Sequence, residues 1–99
     1  MSNPKIRLIA TLVARPAKAD ELQTLLVGLI EPTRAEDGCL QYDLWRNTEN
    51  SEEFRFIEQW ESAAALDAHL ATPHLQHALS LFPSLLAQDL GLQKYSQVG

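Results

Sequence analysis

The middle of the sequence constrains the fold most, because it reads as two strands joined by a short turn. Leu40–Asn47 alternates apolar and polar residues, and Glu53–Trp60 does so with larger aromatic side chains. The polar segment between them, Asn47–Glu52, is typical of a turn. Because a short connection suits antiparallel strands, we predict a β-hairpin at the centre of the chain.

A strand and a helix are predicted before this hairpin. Ile6–Arg15 is apolar and β-branched, which favours a strand. Lys18–Asp37 carries leucines at helical spacing, and Gly38 is a natural helix stop because glycine accepts the left-handed cap conformation. Pro32 lies inside this pattern, so we expect it to kink the helix or restart it.

The same two elements follow the hairpin in reverse order. Ser62 can cap a helix, and Thr72 followed by Pro73 predicts the start of another, interrupted at Pro83. Leu90–Val98 is the last predicted strand. The order β-α-β-β-α-β predicts one domain, residues 1–99, of the ferredoxin-like split βαβ type. This is an α+β fold with helices on one face of an antiparallel sheet.

Large apolar side chains occur on both faces of the predicted strands. Ile9, Val13, Trp45 and Ile57 are assigned to the face away from the helices. Exposing such a patch to water is unfavourable, and a second copy packed sheet against sheet would cover it. We therefore expect a homodimer.

Composition excludes several classes of partner. The net charge is −5 without a basic run, which disfavours nucleic acid, and no apolar run approaches the ~20 residues of a membrane span. The N-terminus lacks the apolar region and small-residue cleavage site of a signal peptide, so we expect a cytoplasmic protein. The single cysteine, Cys39, excludes an intramolecular disulfide and is interpreted as a packed residue.

All three histidines, His69, His74 and His77, lie within nine residues. His74 and His77 could meet on one helix, but no other acid, cysteine or histidine stands in a recognised ligand register, and Pro73 separates His69 from them. We therefore expect no metal, and we interpret His77 as a solvated residue. No glycine-rich phosphate loop is present, so no cofactor is expected.

His69 differs because it lies on or beside the apolar stripe of its helix. Glu58 lies in an aromatic row of the third strand, where an unpaired carboxylate would be costly. A helix folded over that strand could pair the two side chains. Such a pair could move protons near neutral pH, or it could be a structural hydrogen bond between helix and sheet.

Two stretches, Pro32–Asn47 and Glu53–Gln76, resemble the antibiotic biosynthesis monooxygenase family. The family pattern combines a Glu-x-Gly-Cys-x-x-Tyr turn, a Phe-x-Glu-x-Trp strand and a helix ending in His before Pro-His. The matching residues here are Glu36, Gly38, Cys39, Tyr42, Phe56, Glu58, Trp60, His69, Pro73 and His74. The first strand and helix entry are also similar, with Ala17 where a glycine is usual.

The resemblance implies a dimeric α/β barrel that oxygenates anthrones or quinols without metal or flavin. The expected partners are therefore a small aromatic substrate and O₂. In this interpretation His69 is the acid–base group and Glu58 orients or tunes it. The cavity would be lined by Trp60, Phe56 and Tyr42.

Relatives with other activities leave three alternatives open. An isomerase of a small carbonyl or phosphorylated metabolite would need a cation, for which Arg34, Arg46 and Arg55 are candidates. A non-catalytic dimer could bind small molecules in stress responses. Haem degradation would depend on Trp60 together with His74 or His77. Fold and family alone do not choose among these reactions.

Overall fold

The computed structural model describes residues 4–99, which form four strands and four helices. The strands are β1 (Ile6–Val13), β2 (Cys39–Arg46), β3 (Glu53–Trp60) and β4 (Gly91–Tyr95). The helices are α1 (Ala19–Val27), α2 (Ile30–Arg34), α3 (Ala63–Leu70) and α4 (Pro73–Leu85). The sheet is antiparallel in the order β2-β3-β1-β4, which confirms the predicted ferredoxin-like α+β fold. No helix within this range is long and apolar enough to cross a membrane.

The strand register separates the two faces of the sheet. Leu8 of β1 lies opposite Glu58 of β3, which lies opposite Tyr42 of β2, and all three are buried. The alternate residues Ile9 and Ile57, also paired, are only partly covered. Trp45, on that second face, is 64% exposed. The core therefore lies between one face of the sheet and the helices, as the sequence predicted.

The predicted caps of α3 and α4 are confirmed. Ser62 Oγ accepts a hydrogen bond from the backbone N–H of Ala65 at 3.2 Å. Thr72 Oγ1 accepts one from the backbone N–H of Leu75 at 3.4 Å, and Pro73 occupies the first turn. These side chains satisfy backbone donors that a helix start leaves unpaired, so they fix where each helix begins.

Two prolines behave differently from the prediction. The predicted Lys18–Asp37 helix is two helices, but they separate at Gly28, and Pro32 lies in the first turn of α2, where its missing N–H is not needed. Pro83 does not interrupt α4, which continues to Leu85. The prediction was wrong because Pro83 lies in the last turn, where removing one N–H leaves the earlier helix hydrogen bonds in place.

The observed ends of β1 and β4 also differ from the predicted ones. β1 ends at Val13 rather than Arg15, and Ala14 forms only an isolated bridge with Leu86. β4 is shorter than the predicted Leu90–Val98.

The turn between α2 and β2 requires its glycine. Gly38 has φ +83°, and a Cβ there would lie 2.5 Å from Cβ of Ala65 in α3. The missing side chain lets this turn lie against α3. As a result Glu36, two residues earlier, comes within reach of the end of that helix. Ala17, at the position where a glycine is usual in the family, also has a positive φ of 66°.

Candidate active site

His69, in the last turn of α3, is buried and hydrogen-bonded. Its Nδ1 lies 2.9 Å from Oε2 of Glu36, and its ring packs on Trp60 with centroids 4.6 Å apart. Burial lowers the pKa of His69, although the Glu36 carboxylate opposes this effect. The imidazole is therefore neutral near neutral pH, with Nδ1–H donating to Glu36. Within residues 4–99, the hydrogen bonds of the His69 ring are those of Nδ1, which leaves the lone pair of Nε2 available.

Glu36 also contacts a second histidine. Nε2 of His74, in the first turn of α4, lies 2.7 Å from the same Oε2 of Glu36. Exposure of these side chains rises from 4% for His69 to 13% for Glu36 and 24% for His74. Glu36 therefore bridges a buried imidazole and a partly solvated one.

The predicted hydrogen-bonded pair of Glu58 and His69 is wrong. Glu58 Oε1 instead accepts a hydrogen bond from Nε1 of Trp60 at 2.9 Å, while His69 is held by Glu36. Burial raises the pKa of Glu58 to about 7, because the Trp60 hydrogen bond only partly offsets desolvation and Glu36 adds to the rise. Glu58 and His69 are thus two separate titratable groups on the wall of one cavity.

That cavity lies between the sheet and the two C-terminal helices and has a volume of about 260 Å³. Of the three residues predicted to bind substrate, Phe56 and Tyr42 line this cavity, whereas Trp60 is fully buried and is not among the lining residues. Most of the wall is aliphatic. Its polar groups are Tyr42, Glu58, His69 and Gln76. An apolar cavity with a few converging polar side chains is typical of a small-molecule site.

Tyr42 is the third chemically useful group on this wall. Its ring stacks on Phe56 with centroids 4.4 Å apart. Burial and, next, the neighbouring Glu58 raise the pKa of Tyr42 well above its usual range. The phenol therefore stays protonated and is a hydrogen-bond donor at physiological pH.

The candidate phosphate-binding arginines lie elsewhere. Arg34 pairs with Asp43 at 2.9 Å and Arg55 with Glu53 at 3.2 Å. Arg46 lies over the Phe54 ring, 5.0 Å from its centroid. Among the described residues, no arginine lines the 260 Å³ cavity.

A second depression of about 440 Å³ adjoins the cavity. It shares Leu79, Phe82 and Leu90 with the cavity, and its lining also includes Arg15 and Asp89. No histidine lines it.

Cys39 and His77 are still interpreted as a packed residue and a solvated residue. Cys39 is half-buried, and burial followed by the charge of Glu36 raises the pKa of its thiol. A thiol that resists ionisation is a poor nucleophile. His77 is exposed, as predicted.

No role was predicted for Glu36, although it is part of the quoted family pattern. The carboxylate oxygen of Glu36 and one ring nitrogen each from His69 and His74 all lie within 4.8 Å of one another. The expectation that no acid or further histidine converges here is therefore wrong. Pro73 starts a new helix and so turns His74 back towards α3, instead of separating the two rings. These three residues are a possible ligand set for a metal ion.

A one-sided helical layer on an antiparallel sheet defines a ferredoxin-like domain. Its apolar cavity has His69, hydrogen-bonded to Glu36, on the wall. The chain belongs to the antibiotic biosynthesis monooxygenase family, whose model matches residues 5–80. Family membership supports a monooxygenase-like function and confirms the resemblance seen in the sequence.

Individual relatives agree with this assignment. The chain is 42% identical over 92 residues to Rv0793 of Mycobacterium tuberculosis, named as a candidate monooxygenase, and the match covers 93% of this chain and 89% of that protein. It is 35% identical to the uncharacterised protein sll1783 of Synechocystis over 82% of this chain, but spans only 55% of that protein. The crystal structure of PA3566 from Pseudomonas aeruginosa superposes with a TM-score of 0.93 at 36% identity, covering 100% and 99% of the two chains.

Proposed function

We propose that this protein is a cofactor-independent monooxygenase that oxidises a small aromatic quinol- or anthrone-like substrate with O₂. The observation that carries the proposal is the neutral His69 imidazole on the wall of an apolar cavity, with Nδ1 held by Glu36 and Nε2 free. Removing one proton from such a substrate makes an electron-rich anion that reacts with O₂ directly. The protein then has to supply a base, a dry cavity and donors for developing negative charge.

His69 is the proposed base, and Glu36 is the residue that orients it. With Nδ1–H donated to the carboxylate, Nε2 accepts the substrate proton, and Glu36 stabilises the imidazolium that forms. Glu58 does not have the orienting role that we first expected. Its pKa of about 7 leaves it partly protonated near neutral pH, so it can return a proton to the departing oxygen.

The chemical balance needs no further redox partner. The substrate anion supplies the electrons, a carbon–oxygen bond forms, and the O–O bond breaks. One oxygen atom stays in the product and the other leaves as water. Tyr42, which stays protonated, is the proposed donor to the substrate oxyanion.

The cavity argues against two of the alternatives. No arginine lines it, in the part of the chain that the structure describes, so a phosphorylated metabolite has no counter-ion there. Its 260 Å³ is below the roughly 300–1,000 Å³ of pockets for drug-sized ligands. A planar substrate of one to three rings is a better match than a haem macrocycle.

The exposed face of the sheet supports the expected homodimer. Trp45 is 64% exposed on this face, and Ile9 and Ile57 form a partly covered apolar pair two positions along the strands from it. Packing two such faces together would remove this apolar surface from water.

The decisive experiment measures O₂ uptake across a panel of quinols and anthrones. With a substrate found, His69→Gln should lower kcat/KM by about 10²–10⁴-fold, typical of a general base, without loss of the folded state. The matched control is His77→Gln, which makes the same substitution at an exposed position and should change neither rate nor Tm. A folded His69→Gln protein within a few-fold of the wild-type rate would exclude His69 as the base. Wild-type protein that binds these compounds without O₂ uptake would instead indicate a non-catalytic binder.

A further inference from the structure

Three side chains from separate parts of the chain converge at the edge of the helical layer. Glu36 lies in the turn after α2, His69 near the end of α3 and His74 in the first turn of α4. Both imidazoles approach the same carboxylate oxygen, at 2.9 and 2.7 Å. Their ring centroids are 6.3 Å apart.

The spacing of these atoms is close to that of a metal coordination sphere. Ions bound by histidine and carboxylate lie about 2.0–2.2 Å from each donor, so neighbouring donor atoms are roughly 3 Å apart. The two nitrogen–oxygen separations are already near this value, and the nitrogens lie within 4.8 Å of each other. Two nitrogens on one ion lie at most about 4.2 Å apart, so the rings would have to turn towards a shared point to bind it.

The donor types and their surroundings select the class of ion. Two imidazole nitrogens and one carboxylate oxygen suit Zn²⁺ and its first-row neighbours rather than Mg²⁺ or Ca²⁺, which prefer oxygen ligands. The site is also accessible, since the His74 side chain is 24% exposed. Three protein ligands with solvent on one side leave coordination positions for water.

We propose that Glu36, His69 and His74 form a binding site for one divalent first-row transition ion, with Zn²⁺ as the probe ion. The site goes beyond the proposed oxygenase chemistry, which uses no metal. Binding replaces the two hydrogen bonds to Glu36, because the nitrogens that now donate must present lone pairs to the ion.

Occupancy would change what His69 offers to the cavity. With Nδ1 on the ion, the ring proton of the neutral imidazole moves to Nε2. His69 then becomes a donor instead of an acceptor on the cavity wall. Only this consequence rests on the proposed function, because binding itself is independent of any substrate.

The test titrates Zn²⁺ into tag-free protein by calorimetry and follows Co²⁺ by its visible absorption. We expect one ion per chain. Glu36→Gln and His74→Ala should each weaken affinity by about 100-fold or more, since changes even to groups behind the ligands cost about 10–100-fold. His77→Ala, three residues along the same helix, should leave binding unchanged. His74→Ala removes a partly exposed side chain, so it tests the site even if Glu36→Gln unfolds.

Two outcomes would overturn the proposal. One is the absence of stoichiometric binding to folded wild-type protein. The other is binding that Glu36→Gln and His74→Ala leave intact, which would place the ion elsewhere. Neither the Zn²⁺ nor the Co²⁺ titration needs a substrate. Failure to find O₂ uptake would therefore not count against the metal site, and failure to bind metal would not count against the oxygenase proposal.

Discussion

The sharpest test of how this site is built is the substitution Glu36→Gln. The amide has nearly the same shape as the carboxylate but is neutral and has one acceptor atom instead of two. Glu36 Oε2 accepts from His69 at 2.9 Å and from His74 at 2.7 Å. Because both rings donate to the same oxygen, an amide oxygen in that place can keep both hydrogen bonds, and the substitution removes the negative charge that strengthens them.

The expected cost follows from these contacts. A hydrogen bond to a charged group contributes about 1.5–3 kcal/mol and one between neutral groups about 1 kcal/mol, so neutralising the shared acceptor should lower the free energy of unfolding by about 1–4 kcal/mol. The Glu36 side chain is only 13% exposed, so solvent screens little of the attraction between its charge and the two ring N–H groups. For a domain of this size the corresponding fall in Tm is about 5–30 °C.

Urea unfolding at fixed protein concentration measures this difference, because an unchanged m-value shows that only stability has changed. The matched control is Asp37→Asn, which removes the same charge from the next residue, an exposed one. It should stay within about 0.5 kcal/mol of wild type. If Glu36→Gln is no less stable than Asp37→Asn, the carboxylate does not hold the two histidines in place.

Two further predictions concern pH and assembly. Burial raises the pKa of Glu58 from 4.5 to about 7, so its stabilising contribution is complete below about pH 4.5 and lost as pH rises through 7. Between pH 4.5 and 8, the free energy of unfolding of the wild type, measured in urea, should fall by about 3 kcal/mol more than that of Glu58→Gln. If the free energies of the two proteins change in parallel with pH, the pKa of Glu58 is not raised. By light scattering the protein should be a dimer at micromolar concentration, and Trp45→Lys, but not Val27→Lys on α1, should make it monomeric. A monomeric wild type, or a dimeric Trp45→Lys protein, would argue against the sheet-to-sheet interface.

Much of the fold was determined by local sequence. The alternation in β2 and β3 predicted the hairpin, and Ser62, Thr72 and Pro73 marked the starts of α3 and α4 correctly. These features depend on groups a few residues apart, which interact in the same way wherever the segment is placed. Proline was less informative, because its effect depends on its position within a turn, as Pro83 shows.

The candidate site was only partly predictable. Family resemblance and helical spacing selected His69, and the aromatic row of β3 identified Glu58 as a buried carboxylate. Sequence proximity suggested that these two would pair, since only eleven residues separate them. The structure pairs His69 with Glu36, 33 residues away, and Glu58 with Trp60.

Only the tertiary structure could decide between these partners. Glu36 reaches His69 because Gly38, at φ +83°, lets its turn lie against α3, with no room for a Cβ beside Ala65. His74 joins them because the break at Pro73 turns α4 back over the end of α3. Each step is local, but the meeting of the three side chains depends on how separate elements pack. The sequence by itself determined which residues could do chemistry, and the packing of the turn, α3 and α4 determined which of them meet.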